Sequence, residues 1–265
     1  MKDLNDDKTK KIADYYGRVF LSNKCGFYQI TVANSTDRMR AVFLQTNTVV
    51  TVTASQVDSG CVVDTYYPTV CGIGYLGSSE STVDETGKPL KEYVYWRGML
   101  DRCYGNKNLE AYSDTIVSEE FHDFSYFQKW FHNQVGRYDK DFQLDKDILS
   151  TDCKVYAEDT CVLVPSEINM FFAKTGVRTH KTFKGSKYPT GVSYKSKNTG
   201  RPYVASYNGC GGEKHVSYHD NEWSAFQAYK QAKENRAKEL AEKWRGQIDN
   251  RVYEKLINYK VLLTD

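Results

Sequence analysis

In this 265-residue chain, the residues whose types and spacing suit chemistry lie between positions 142 and 172, FQLDKDILSTDCKVYAEDTCVLVPSEINMFF. A short acidic strand, Leu144-Asp145-Lys146-Asp147, precedes a polar turn, and a second, apolar strand from Thr160 to Val164 runs into Pro165-Ser166-Glu167-Ile168-Asn169. The last segment reads as a helix start with Ser166 as its N-cap. A strand, a turn, a strand and a helix that carry an Asp early and an Asn late can bring a carboxylate and an amide oxygen to one cation. Hard oxygen donors of this kind suit Mg²⁺. Asp145 and Asn169 are therefore the candidate metal ligands. Register decides whether Asp145 or Asp147 faces the metal, because a one-residue slip reverses the faces of a strand.

The stretch from Tyr95 to Asn169, which contains YWRGMLDRCY, FHDFSYFQKWF, LDKDIL and TCVLVPSEIN, resembles the core of phage-encoded HNH-type homing endonucleases. The resemblance implies a ββα-metal unit that hydrolyses DNA phosphodiesters as a metal-dependent endonuclease or nickase. Asp145 then matches the metal-binding Asp and Asn169 the Asn on the helix. Lys146 stands where that pattern has the His that acts as general base. A lysine with an ordinary pKa of about 10.4 is protonated at neutral pH and takes no proton from water. In an active core, Lys146 with Asp147 beside it would act by supplying charge to the transition state. His122 and His132 flank a neighbouring aromatic segment and read as surface or capping histidines.

The net charge of +2 hides an asymmetry. Residues 1–172 carry 18 Lys and Arg against 25 Asp and Glu, whereas residues 173–245 carry 15 against 6. A basic block of this kind is the electrostatic footprint of a polyanion site. The 21 tyrosines suit half-buried strand edges and wet contact faces alike. Seven scattered cysteines without a CxxC pair disfavour zinc knuckles and disulfide frameworks and point to a reducing, cytoplasmic setting, the host cytoplasm for a phage protein. No apolar run approaches the length of a membrane span, and the charged start does not read as a signal peptide.

Four β-branched and aromatic runs between Arg18 and Thr53, separated by turn clusters, predict a small antiparallel barrel over residues 1–77. Residues 78–90 read as a linker. Helical spacing follows over 91–104 and again over Glu119–Phe131, where Phe121, Phe124, Phe127, Trp130 and Phe131 form a core-facing stripe. Together with the acidic strand these make a nuclease-like unit over 91–172. A basic linker over 173–190 leads into residues 188–265, predicted as three strands with turns at Asn198-Thr199-Gly200 and at Gly209–Gly212, then a long helix capped by Asn221. The residues after 245 add an amphipathic helix.

That last region, GVSYKSKNTGRPYVASYNGCGGEKHVSYH followed by NEWSAFQAYKQAKENRAKELAEKW, resembles the Apetala or ethylene-response-factor type of DNA-binding domain. The resemblance implies a three-stranded sheet laid in the major groove of double-stranded DNA with the helix behind it. Lys195, Lys197, Arg201, Tyr203 and Lys214 are the candidate DNA contacts. The chain as a whole is expected to be α+β, with a barrel, a ββα-metal-like unit with helices, and a sheet-plus-helix module. Two functions compete. One is a DNA endonuclease; the other is a DNA-binding regulator, or a protein inhibitor of a host defence complex, whose nuclease core is spent. The substitution of Lys146 for His favours the second.

Overall fold

The computed structural model describes residues 11–79, 81–105, 112–137, 139–150, 154–173, 188–197, 200–208 and 214–263. The chain divides into two compact units, residues 1–131 with 155–157, and residues 132–154 with 158–265. The first division falls after Phe131, inside the 91–172 stretch.

The first unit begins with four antiparallel strands, β1 (Val19–Ser22), β2 (Gly26–Ser35), β3 (Arg38–Phe43) and β4 (Val49–Val52), in spatial order β1-β2-β3-β4. Alternation sends Tyr28, Ile30, Met39, Ala41, Phe43 and Val52 to one face, where they are buried with Cys25, Val57 and Val62. The expected barrel is not formed. Among the described residues β1 and β4 remain the edges of an open sheet. After Val52 the chain does not return as a closing strand. Instead Thr53 and Gln56 make a capping box that starts α1 (Ala54–Asp58). Val57 of that helix is buried against the sheet, so a helix covers the core where a barrel would need another strand.

The remainder of the first unit is aromatic. Helix α2 (Lys91–Tyr104) buries Trp96, Met99 and Leu100. The stretch expected as one helix over 119–131 is two pieces, a 3₁₀ turn at Glu119–His122 and α3 (Phe124–His132). Asp123 breaks it because its carboxylate accepts from the backbone N–H of Ser125 at 2.8 Å and from its hydroxyl at 2.7 Å, the local bonding that favours caps over helix interiors. Phe121, Phe124, Phe127 and Phe131 are nonetheless fully buried, and the Trp96 indole N–H donates to the Phe121 carbonyl at 2.7 Å. Two short strands, β5 (Ile116–Val117) and β7 (Val155–Tyr156), pair in parallel at its margin.

In the second unit β6 (Phe142–Asp145) pairs antiparallel with β8 (Val162–Pro165), which runs directly into α4 (Ser166–Phe172). Ser166 is the first residue of that helix and Pro165 its N-cap, one position earlier than the sequence suggests. Further on, β9 (Val192–Tyr194), β10 (Tyr203–Asn208) and β11 (Lys214–His219) form an antiparallel sheet of order β11-β10-β9. Helix α5 (Glu222–Lys243) follows, and the Asn221 side chain accepts from the Ser224 N–H at 2.9 Å as an N-cap. Val192 and Ala205 pack on Ala225, Phe226 and Tyr229 of α5. The final helix α6 (Asn250–Ile257) buries Val252 and Leu256. The architecture is α+β throughout.

Candidate functional site

The ββα element is built by alternation on β6. Phe142 and Leu144 are buried, while Gln143 is exposed and Asp145 partly so, which puts Gln143 and Asp145 on the outer side of the strand. On α4, Ile168 and Phe171 are buried. Asn169 lies between them in sequence, and its amide N–H donates to the Gln143 side-chain oxygen at 2.6 Å. Asn169 is thus brought to the Asp145 side of β6 through Gln143, two residues before the aspartate.

One Asp145 oxygen, Oδ1, accepts the backbone N–H groups of Asp147 and Ile148, both at 2.8 Å. Burial holds the Asp145 carboxyl above the usual carboxylate range, against those two hydrogen bonds, which pull it down. Asp145 Oδ2 and Asn169 Oδ1 are oxygen atoms of the hard kind that Mg²⁺ takes as ligands. Among the described residues there is no group of three or more His, Cys, Asp and Glu arranged to hold a metal.

Lys146 is only 7 % exposed, and its ammonium meets Asp147 at 2.5 Å. Asp147 itself is exposed. The two residues therefore form an ion pair with one another. His122 lies elsewhere, in the first unit, where its Nε2 meets the Val117 carbonyl at 3.1 Å and its ring stands edge-on to Tyr104.

Helix α4 is held from its opposite side. The Glu167 carboxylate, 15 % exposed, accepts from Lys243 Nζ and from the Trp244 indole N–H at 2.5 Å each, and Arg236 lies 3.6 Å away. Burial alone would raise its pKa, but the hydrogen bonds from Lys243 and Trp244 outweigh it and hold the carboxyl below its ordinary value. The Trp244 ring also stands edge-on to Phe142 at 5.7 Å. The ββα element is in this way fastened to the C-terminal helix of the sheet module.

The chain matches no family model, no curated protein and no solved structure. What it can do rests on its own geometry.

In the C-terminal sheet, register puts Tyr203, Ala205 and Tyr207 on the side that packs on α5, opposite His219, Ser217 and His215 of β11. Tyr203, a candidate DNA contact, therefore lies on the helix side, in ring contact with Tyr194 at 5.3 Å and Tyr188 at 5.9 Å. A cleft of about 530 Å³ opens on this side between β11 and α5, lined by His215, Ser217, His219, Asn235 and Glu239. The other face carries Ser193, Ser206, Val216 and Tyr218, with Val204 buried among them. Lys195 and Lys197 are exposed just past β9, and Arg201 is exposed 3.4 Å from Asp220. Lys214 opens β11 opposite Asn208; its side chain lies outside the described residues. The predicted turns at 198–200 and 209–212 fall largely outside them as well.

Two residues of these sites are absent from the sequence reading. Gln143 was accessible to the alternation rule, standing two positions before Asp145. Glu167 was not, because its partners lie about 70 to 77 positions away. No helix among the described residues is long and apolar enough to cross a membrane.

Proposed function

We propose that this chain is a DNA-binding protein that reads double-stranded DNA through its C-terminal sheet and keeps an HNH-like ββα element without a working base. One observation carries the reading. In a strand–strand–helix frame with Asp145 and Asn169 on one side, the position expected to hold the base is Lys146, buried and ion-paired with Asp147. A buried ammonium held by a carboxylate neither accepts a proton from water nor moves to a scissile phosphate. Mg²⁺ held by Asp145 and Asn169 would supply charge neutralisation at a DNA phosphate. Gln143 fixes the Asn169 amide, and Glu167 fixes the helix that carries it. Lys195, Lys197 and Arg201 are exposed near the ends of β9 and β10, in keeping with contacts to phosphates. A strongly basic block over 173–245 supports the same partner.

The test is to incubate the purified chain with supercoiled DNA in Mg²⁺ or Mn²⁺ and to titrate duplex DNA over a range of salt. The expected outcome is binding without nicking, with log K falling against log salt at about −0.9 per phosphate contacted. Lys195→Ala and Arg201→Ala should each flatten that slope by about one contact. Metal-dependent nicking that disappears in the Asp145→Ala, Asn169→Ala double variant would overturn the spent core in favour of a nuclease. Absence of binding to any duplex would overturn the DNA reading and leave a protein target.

A further inference from the structure

Strand β11 is one edge of the C-terminal sheet, and its backbone is open along that edge. The Ser206 N–H of β10 donates to the Gly191 carbonyl and the Lys195 N–H to the Pro202 carbonyl, each at 2.8 Å. Backbone direction alternates along an antiparallel strand. Pro202, Val204 and Ser206 therefore turn their backbone groups toward β9, while Tyr203, Ala205 and Tyr207 turn theirs toward β11. Register pairs the latter with His219, Ser217 and His215. Val216 and Tyr218 are left pointing their N–H and C=O groups outward, and among the described residues these groups meet no partner. Both residues are about half exposed, at 47 % and 46 %. The strand carries neither the proline nor the bulge that would blunt such an edge. Beside it lies the cleft of about 530 Å³, with His215, Ser217 and His219 of β11 on one side and Gln231, Asn235 and Glu239 of α5 on the other. Ser217 Oγ and His219 Nε2 meet there at 2.8 Å.

We propose that β11 and α5 form a groove that takes an extended segment of a partner protein as an added strand. Hydrogen-bond complementarity selects that occupant. Outward N–H and C=O groups on every second residue are matched by the backbone of another β-strand. A nucleic-acid backbone offers phosphate acceptors without the donors that the two carbonyls need. Alternate side chains of the added strand fall on the α5 side, into the cleft, and those between them lie beside Val216 and Tyr218. The hydroxyl, imidazole and amide groups of Ser217, His215, His219, Gln231 and Asn235 suit Ser, Thr or Asn side chains in the cleft. β-Branched or aromatic side chains suit the Val216 and Tyr218 side. A second copy of this chain fits less well, because it brings its own helix. Two β11 strands paired edge to edge about a two-fold axis keep both copies of α5 on one face of the joined sheet. The Gln231, Asn235 and Glu239 side chains of the two copies would then face one another, polar against polar and carboxylate against carboxylate. A lone extended segment brings no such helix into the cleft.

Selection of binders to the full chain from a yeast-displayed library of random peptides, followed by fluorescence anisotropy with the selected peptides, tests this. The expected peptides alternate polar with β-branched or aromatic residues. Val216→Pro deletes an outward N–H and no hydrogen bond to β10, at the kind of edge position where proline is tolerated. It should weaken peptide binding about ten-fold or more, since a peptide carbonyl loses its donor, with an unchanged circular dichroism spectrum. Ala232→Leu narrows the cleft from the α5 side without touching the edge, and should weaken the same peptides. A library that yields no binder, or binders that keep full affinity for either variant, overturns the inference. Sedimentation equilibrium of the chain alone that shows a dimer, dissociated by Val216→Pro, overturns it as well and assigns the edge to a second copy.

Discussion

Replacing Glu167 by Gln tests whether the ββα element and the C-terminal helix hold together through one carboxylate. The amide keeps the side chain's shape and one acceptor oxygen but removes the charge that faces Lys243 at 2.5 Å and Arg236 at 3.6 Å. Breaking a fully buried pair costs about 3 to 5 kcal/mol. Arg236 is 15 % exposed and Lys243 56 %, so solvent screening brings the cost below that range, to about 2 to 3 kcal/mol. In a unit of this size the loss lowers Tm by roughly 6 to 9 °C. The pH dependence gives an independent signature. The folded-state pKa of Glu167 lies below its ordinary 4.5. Its contribution is therefore fully present above that value and is lost as pH falls through the lowered folded pKa. Urea unfolding followed by tryptophan emission should show wild type above the Glu167→Gln variant at pH 7, with the gap closing as pH falls below the ordinary 4.5 and through the lowered folded pKa. Equal stability at pH 7, or a gap that persists unchanged into acid, would refute the reasoning.

Three further outcomes are expected. Gly191 has φ +77°, and a Cβ there would press into the Tyr229 ring, so Gly191→Ala should destabilise the second unit by about 2 kcal/mol or more in denaturant unfolding. Trp96→Phe keeps the ring but strips the donor from the buried Phe121 carbonyl, costing about 2 kcal/mol by the same measurement. Gln143→Glu adds a second carboxylate on the Asp145 side of β6; calorimetric titration should show Mg²⁺ or Mn²⁺ bound about ten-fold more tightly than by wild type, since affinity in oxygen-ligand sites rises with ligand charge.

Much of the architecture was legible from local pattern. The three C-terminal strands, the Asn221 cap, the four N-terminal strands and the order strand–strand–helix after Phe142 all follow from alternation, turn residues and capping chemistry, which act over a few residues. The basic character of residues 173–245 follows from composition alone. The interruption of the 119–131 helix at Asp123 was also local, but the aromatic period masked it, because the buried stripe survives the break.

Tertiary structure decided the rest. Whether four N-terminal strands close into a barrel depends on where the chain goes after Val52, and the Thr53–Gln56 capping box sends it into a helix that covers the core. Which face of the C-terminal sheet stays open depends on where α5 packs, and that turned Tyr203 inward. The burial of Lys146 against Asp147 and the fastening of α4 by Glu167 depend on what surrounds each charge in space. Sequence names these charged residues, but a charge takes its role from its solvent exposure and its partner, and both are set by packing between segments far apart along the chain.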